Sequence, residues 1–201
     1  MRLRRFASAL ALMLALPAAA AAQDFGVMES AETINRGNFK LMAYPVVLFG
    51  DESDDDFGVV LRGGYGFTES FDAEGKIGIF ENITFFGGDA EFWVLKNQPL
   101  DLSVGGGFHV GLGEGLDQYG WDITFLGSAP IADKLELYGA LDIAFNQFDD
   151  DVADDSFTWV HLVPGIEYSL SSELDLVAEV GIGLNDDSAH YFAVGLAYYI
   201  R

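Results

Sequence analysis

Apolar and polar residues alternate with a period of two along most of the chain, and the helical period of 3.6 is missing. From Leu174 to Leu184 one face carries Leu174, Leu176, Ala178, Val180, Ile182 and Leu184. The other carries Asp175, Val177, Glu179, Gly181 and Gly183. The segment from Leu135 repeats the scheme, with Leu135, Leu137, Gly139, Leu141, Ile143 and Phe145 set against Glu136, Tyr138, Ala140, Asp142 and Ala144. Leu100 to Leu112 is a third copy and Phe71 to Ile79 a weaker fourth. All four open apolar–acid–apolar, and their starts lie 29, 35 and 39 residues apart, an internal repeat of a strand pair. Segments 59–67, 86–95, 119–126, 158–168 and 190–200 fill the gaps as strands of opposite direction, and 39–49 leads. The pattern predicts an all-β chain of ten antiparallel strands, with eight as the alternative count.

The connections sort into two kinds. Residues 68–70, 96–99, 128–134 and 169–173 are compact, whereas 51–56, 113–118, 149–156 and 185–188 are longer or more acidic. Short turns at one end and long loops at the other is the layout of a transmembrane up-and-down barrel, and an even strand count puts both termini on the short-turn side. Aromatic residues gather where strands meet connections. Phe49, Phe57, Phe85, Phe145, Phe148, Phe157, Trp159 and Phe192 fall at the long-loop end, and Tyr65, Phe67, Phe71, Tyr168 and Tyr198 at the other. Two girdles at the membrane interfaces are expected from such placement.

Alternation alone does not say which face is the inside, because a soluble barrel alternates too. Volume decides. Roughly 50 apolar side chains from ten strands would overfill a barrel whose diameter scales with strand number. The other face, rich in Gly, Ala, Ser and single charges, suits a crowded lumen, and strands of about 10 residues match a tilted bilayer crossing. The apolar face is therefore expected to meet lipid.

The N-terminus has a separate character. Arg2, Arg4 and Arg5 precede the apolar run Ala9–Leu16, Pro17 breaks it, and Ala20-Ala21-Ala22 precede Gln23. Residues 1–22 are expected to be a secretory signal peptide cleaved near Ala22. Residues 23–35 are then a periplasmic lead or a lumen plug, and 36–201 the barrel. Removing three arginines takes the formal charge of −22 to −25, beside 50% hydrophobic residues and 24 glycines. So acidic a chain repels phosphate backbones, which excludes nucleic acid as a partner. With no cysteine, disulfides, thiol catalysis and zinc–thiolate sites are excluded as well.

The last seven residues, Gly195-Leu196-Ala197-Tyr198-Tyr199-Ile200-Arg201, set apolar or aromatic positions three and five residues after a glycine. This resembles the signal by which the outer-membrane assembly machinery recognises a final barrel strand. It departs in ending on Arg201 rather than Phe. With the signal peptide and hairpin repeat, residues 36–201 resemble the small outer-membrane β-barrel superfamily of Gram-negative bacteria. The resemblance implies the bacterial outer membrane as the location, lipid and lipopolysaccharide as neighbours, and the assembly machinery as a partner of the last strand.

In this register the lumen receives Asp72, Glu74, Asp89, Glu91, Asp101, Asp122, Glu136, Asp142, Glu167, Asp175 and Glu179, with Lys40, Arg62 and Lys76 as the bases. Asp72, Asp101, Glu136, Glu167 and Asp175 lie near short turns and form an acidic ring at one mouth. Such a ring either attracts cations or is the solvated rim of a filled barrel. Deeper acids must pair or protonate, and Arg62 and Lys76 are the expected partners of Glu74 and Glu91. His161, near Asp142 and Glu179, offers either a metal or proton-shuttle group or a member of a lumen hydrogen-bond network.

The acid runs at 51–56 and 149–155 can hold divalent cations or remain solvated, and neither fits a calcium-loop spacing. Nucleophile-elbow, phosphate-loop and H-E-x-x-H motifs are missing. Asp187-Ser188-Ala189-His190 has the wrong spacing for the acid–histidine element of barrel proteases. No cofactor or metal is expected. The sequence thus points to a non-enzymatic barrel, either a narrow cation-preferring pore or a structural or surface barrel. A secreted soluble β-barrel for a small apolar ligand is the rival, and a barrel hydrolase acting on lipid or peptide a lesser one.

Overall fold

A computed structural model describes residues 26–49, 55–96, 99–113, 117–149 and 156–201. Ten strands follow one another: β1 Phe39–Phe49, β2 Asp56–Thr68, β3 Phe71–Ile79, β4 Ile83–Leu95, β5 Asp101–Gly113, β6 Asp117–Ala132, β7 Leu135–Asp149, β8 Ser156–Ser169, β9 Leu174–Gly183 and β10 His190–Ile200. Each pairs antiparallel with its sequence neighbours, and β1 closes the barrel against β10 from Phe39 opposite Ile200 to Phe49 opposite His190. Closure leaves no sheet edge with unpaired backbone groups, the condition for crossing a bilayer in strands.

Ten strands are as the alternation predicts, and several run further than it does: β4 begins at Ile83, β6 spans Asp117–Ala132 and β7 reaches Asp149. Residues 128–132 continue β6 instead of forming a turn, and a register irregularity between Pro130 and Ala132 absorbs the proline, which has no N–H to give to the ladder. Two further irregularities, at Gly66/Thr68 and Trp93/Leu95, also lie next to compact turns.

The apolar face points outward throughout, with Leu61, Ile77, Val110, Leu141, Leu162, Val180 and Leu196 all exposed. At the short-turn end Phe39, Tyr65, Phe67, Phe71 and Phe92 run around the rim as a ladder with ring centroids 4.7, 5.0, 5.7 and 5.8 Å apart. At the long-loop end the expected girdle needs correction. Phe85, Phe148 and Trp159 are buried in the interior, because they share parity with Gly87, Asn146 and His161 on the lumen face. Phe148, Phe157 and Trp159 pack as a row with centroids 5.0 and 5.3 Å apart. Trp121 and Phe145, stacked at 4.2 Å, stay on the outside.

Part of the interior is also a hydrophobic core. Strand β1 turns Met42, Tyr44, Val46 and Leu48 inward while Leu41, Val47 and Phe49 face out. Its apolar run Ala43–Phe49 reads as a strand covered on both sides. The same buried cluster includes Val60, Phe80, Ile83 and Phe85 on the wall and Val27 and Met28 from the segment before β1.

Candidate functional site: the occupied lumen

The segment before β1 runs inside the barrel. Val27, Met28, Ser30, Ala31, Thr33 and Ile34 are each 7% exposed or less. The chain turns in at the short-turn end, where Gly37 N donates to Gly66 O and Arg36 bridges Gly66. A buried irregular segment must find partners for its backbone, and the wall supplies them. Ile34 N donates to Asp72 at 2.5 Å, Ala31 N to Ser128 Oγ at 3.1 Å, and Met28 N and Val27 N to the two oxygens of Glu179 at 2.6 and 2.8 Å. Met28 holds φ at 51°, a left-handed value rare outside glycine, so the anchor on its own N–H fixes a bend that the chain does not favour.

Glu179 is the clamp of this arrangement. Beyond the two amides it accepts Tyr138 Oη at 2.6 Å and Tyr191 Oη at 2.8 Å. Both rings reach it over glycines: a Cβ at Gly165 would strike the Tyr138 ring, and one at Gly181 the Tyr191 ring. Gly181→Val is therefore expected to displace Tyr191 and weaken the clamp. The folded, heat-modifiable band on a gel should convert at lower temperature than in the wild type; an unchanged conversion temperature would discount the close approach.

Toward the short-turn end lies the charged layer. Arg62 Nε meets Glu74 at 2.8 Å, and its Nη2 meets Glu29 at 2.9 Å and Asp89 at 3.2 Å, while Nη1 donates to Val27 O. Lys40 Nζ reaches Glu74 at 2.7 Å and Glu29 at 3.2 Å, and Lys76 Nζ reaches Asp89 at 2.8 Å. Three bases thus meet three acids, one of them on the inserted segment. The partner expected for Lys76 is corrected: it is Asp89, and Glu91 has no base among the described ion pairs.

The acidic ring is present as a layer of Asp72, Asp101, Glu136, Glu167 and Asp175 on lumen faces of β3, β5, β7, β8 and β9, but the inserted segment fills it. Glu32 brings a carboxylate within 4.8 Å of those of Asp101 and Glu136. Glu32 sits at the solvent edge of the mouth, yet partial burial first, then the charges of Glu136 and Asp101, hold its carboxyl above the usual carboxylate range. A raised folded-state pKa stabilises the docked segment fully below the ordinary value of 4.5, and that contribution is lost as pH rises through the raised one. Acidification should therefore tighten docking, and Glu32→Gln should flatten the response. Protease cleavage of the segment, followed from pH 7 to pH 4, measures this; equal pH dependence in both proteins would count against it.

His161 lies opposite Asp142 in the β7–β8 ladder. However, its Nε2 contacts Ala189 O at 2.8 Å and its ring packs edge-on to Tyr191 at 5.6 Å, while Glu179 is occupied by the clamp. Of the two sequence alternatives the geometry matches the hydrogen-bond network. Nearer the long-loop end His109 Nε2 is 2.7 Å from Asn146 Oδ1, and Asp142 accepts Thr124 Oγ1 at 2.7 Å. The acid runs at 51–54 and 150–155 lie outside the described residues.

Sequence reasoning missed Glu29, Tyr138 and Tyr191. The two tyrosines could have been found as phenols on otherwise small and acidic lumen faces, because a buried hydroxyl needs an acceptor. Glu29 precedes the first strand, where no alternation assigns it a side.

A family model described as an outer membrane protein beta-barrel domain matches residues 6–199. The chain belongs to that family. An outer membrane channel from Pseudomonas putida F1 superposes with a TM-score of 0.58 at 10% identity, covering 88% of this chain and 99% of that one. The KdgM porin gives 0.47 at 13% identity, over 81% and 99% of the two chains. The outer membrane protein OprG from Pseudomonas aeruginosa gives 0.44 at 13%, over 86% and 100%. At these identities the likeness shows the shared barrel alone. No curated protein matches the sequence. Family and closed barrel together place this protein in the outer membrane, with its apolar face to lipid.

Proposed function

We propose that this barrel is a narrow, non-enzymatic pore that prefers cations and is closed at rest by its own residues 26–35. The observation that carries the proposal is the way the inserted segment is held. It is anchored through hydrogen bonds and ion pairs to the wall, without forming a strand of it, so it can leave while the barrel stays closed on itself. The lumen acids exceed the lumen bases, which favours cations over anions once a path opens. Cleavage near Ala22 frees the end that moves. In the same proposal the acidic long loops meet lipopolysaccharide through divalent cations, and β10 is the strand taken up by the assembly machinery.

Planar-bilayer recording of the mature chain and of a chain lacking residues 23–34 tests this. The intact protein should show rare brief openings, and the shortened one sustained conductance with a reversal potential displaced toward the cation in a salt gradient. Silence from both, with both folded, would overturn the pore in favour of a structural or surface-interaction barrel.

A further inference from the structure

We propose that the short-turn rim is a docking surface for phospholipids whose headgroup joins a phosphate to a primary ammonium. Three base–acid couples hold them: Lys96 with Glu69, Lys134 with Asp133, and Arg201 with Glu173. The proposal rests on the barrel crossing the outer membrane and not on the pore.

Charge is distributed unevenly along the barrel axis. After residue 22 the bases outside the lumen are Arg36, Lys96, Lys134 and Arg201, and all lie at the short-turn end. The long-loop connections carry acids and no lysine or arginine. The short-turn interface is thus the one where lysines and arginines stand beside carboxylates, as a zwitterionic headgroup requires.

The turns bring each couple together. Lys96 follows β4, donates from Nζ to the carbonyl oxygen of Glu69 in the β2–β3 turn, and lies over the Trp93 ring, 4.4 Å from its centroid. Arg201 Nη2 donates to Ser172 O at 2.7 Å and Tyr199 N to Glu173 O at 2.8 Å, which sets the β8–β9 turn against the end of β10. Asp133 and Lys134 are the two residues of the β6–β7 turn. Lys96 is half-buried and the other five residues are exposed. Among the described residues no ion pair joins base to acid in any of the three couples. Opposite charges that stand side by side without pairing are open to a ligand that meets each of them separately.

The depth also fits. Exposed apolar side chains adjoin every couple: Val94 and Leu95 precede Lys96, Ile131 lies just before Asp133, and Ile200 precedes Arg201. A base just past the last lipid-facing side chain lays its stem along acyl chains and its charge at headgroup level. There the phosphate accepts from the base and the ammonium donates to the carboxylate. An anionic headgroup without the ammonium meets the acid as a like charge, and a quaternary ammonium has no N–H to donate.

Native mass spectrometry of the detergent-solubilised mature protein tests the surface. Phosphatidylethanolamine, phosphatidylglycerol and phosphatidylcholine with the same acyl chains are added in equal amounts. Phosphatidylethanolamine should be retained over each of the others by about two- to fivefold per site, the worth of one exposed charge pair, and should saturate at one copy per couple. Lys96→Gln and Lys134→Gln should each remove one bound copy. Glu69→Gln, which keeps the base, should turn the preference of its site toward phosphatidylglycerol. Heat-modifiable migration checks that each variant is folded. Equal retention of the three lipids would overturn the proposal. So would a preference for phosphatidylglycerol in the unmodified protein, or a phosphatidylethanolamine preference that survives neutralisation of all three couples. Conductance plays no part in this readout, so its failure leaves the pore proposal standing, and a silent barrel leaves the docking surface standing.

Discussion

Replacing Glu179 by leucine is expected to destabilise the folded barrel by on the order of 4–8 kcal/mol and to release the inserted segment. The carboxylate is 2% exposed and accepts four hydrogen bonds, from Val27 N, Met28 N, Tyr138 Oη and Tyr191 Oη. Leucine has similar bulk and no acceptor, so four buried donors lose their partner together, at roughly 1–3 kcal/mol each before relaxation. The two phenols cannot turn to water, because each lies against the backbone of a glycine in the neighbouring strand. The amides of Val27 and Met28 can, but only if the segment leaves the lumen. Glutamine separates the contributions. Its oxygen still accepts, but its amide group presents donors to donors, so Glu179→Gln should fall between wild type and leucine. Denaturant unfolding in detergent gives the stability, and protease access to residues 26–35 gives the release. A Glu179→Leu protein that unfolds like wild type with its segment still protected would show that the clamp holds nothing.

The barrel was legible in the sequence because lipid enforces alternation. Every strand that faces hydrocarbon must place apolar residues at every second position, so the faces of β7 and β9 could be assigned without any knowledge of their neighbours. The lumen is under no such rule. It must be filled and its polar groups satisfied, and Met42, Tyr44, Val46 and Leu48 do that as well as charges do. Hence the inner apolar core around β1 was hidden, and Phe85, Phe148 and Trp159 were assigned to the wrong side by their nearness to loops, although parity with His161 already placed Trp159 inside. The ion pairs were half legible. Arg62 faces Lys76 directly across the β2–β3 ladder, so the two bases repel each other and share the acids around them. Pairing along one strand could not reveal that Glu29, which precedes every strand in the sequence, sits between Arg62 and Lys40. Inserted segments carry their information in backbone amides, which no side-chain pattern encodes.

Arg62→Ala should be the most damaging single change in the charged layer, costing about 3–5 kcal/mol, the amount typical of a buried pair that loses one partner. The guanidinium is 1% exposed at its side chain and touches three carboxylates and the Val27 carbonyl. Its removal leaves Lys40 and Lys76 to neutralise Glu29, Glu74 and Asp89. Lys40 already serves Glu74 and Glu29, and Lys76 serves Asp89, so one negative charge of the layer is left without compensation inside the lumen. Arg62→Lys restores the charge but not the planar fork that meets Glu74 through one edge and Glu29 and Asp89 through another, and should recover about half of the loss. Removing charge on both sides is the sharper test. If the cost comes from the stranded carboxylate, Arg62→Met combined with Glu29→Gln should be markedly more stable than Arg62→Met alone, with a coupling of about 1–3 kcal/mol in the double-mutant cycle. Strict additivity would show instead that Glu29 and Arg62 act independently, and that the inserted segment is held by its backbone amides without help from its ion pair to the arginine.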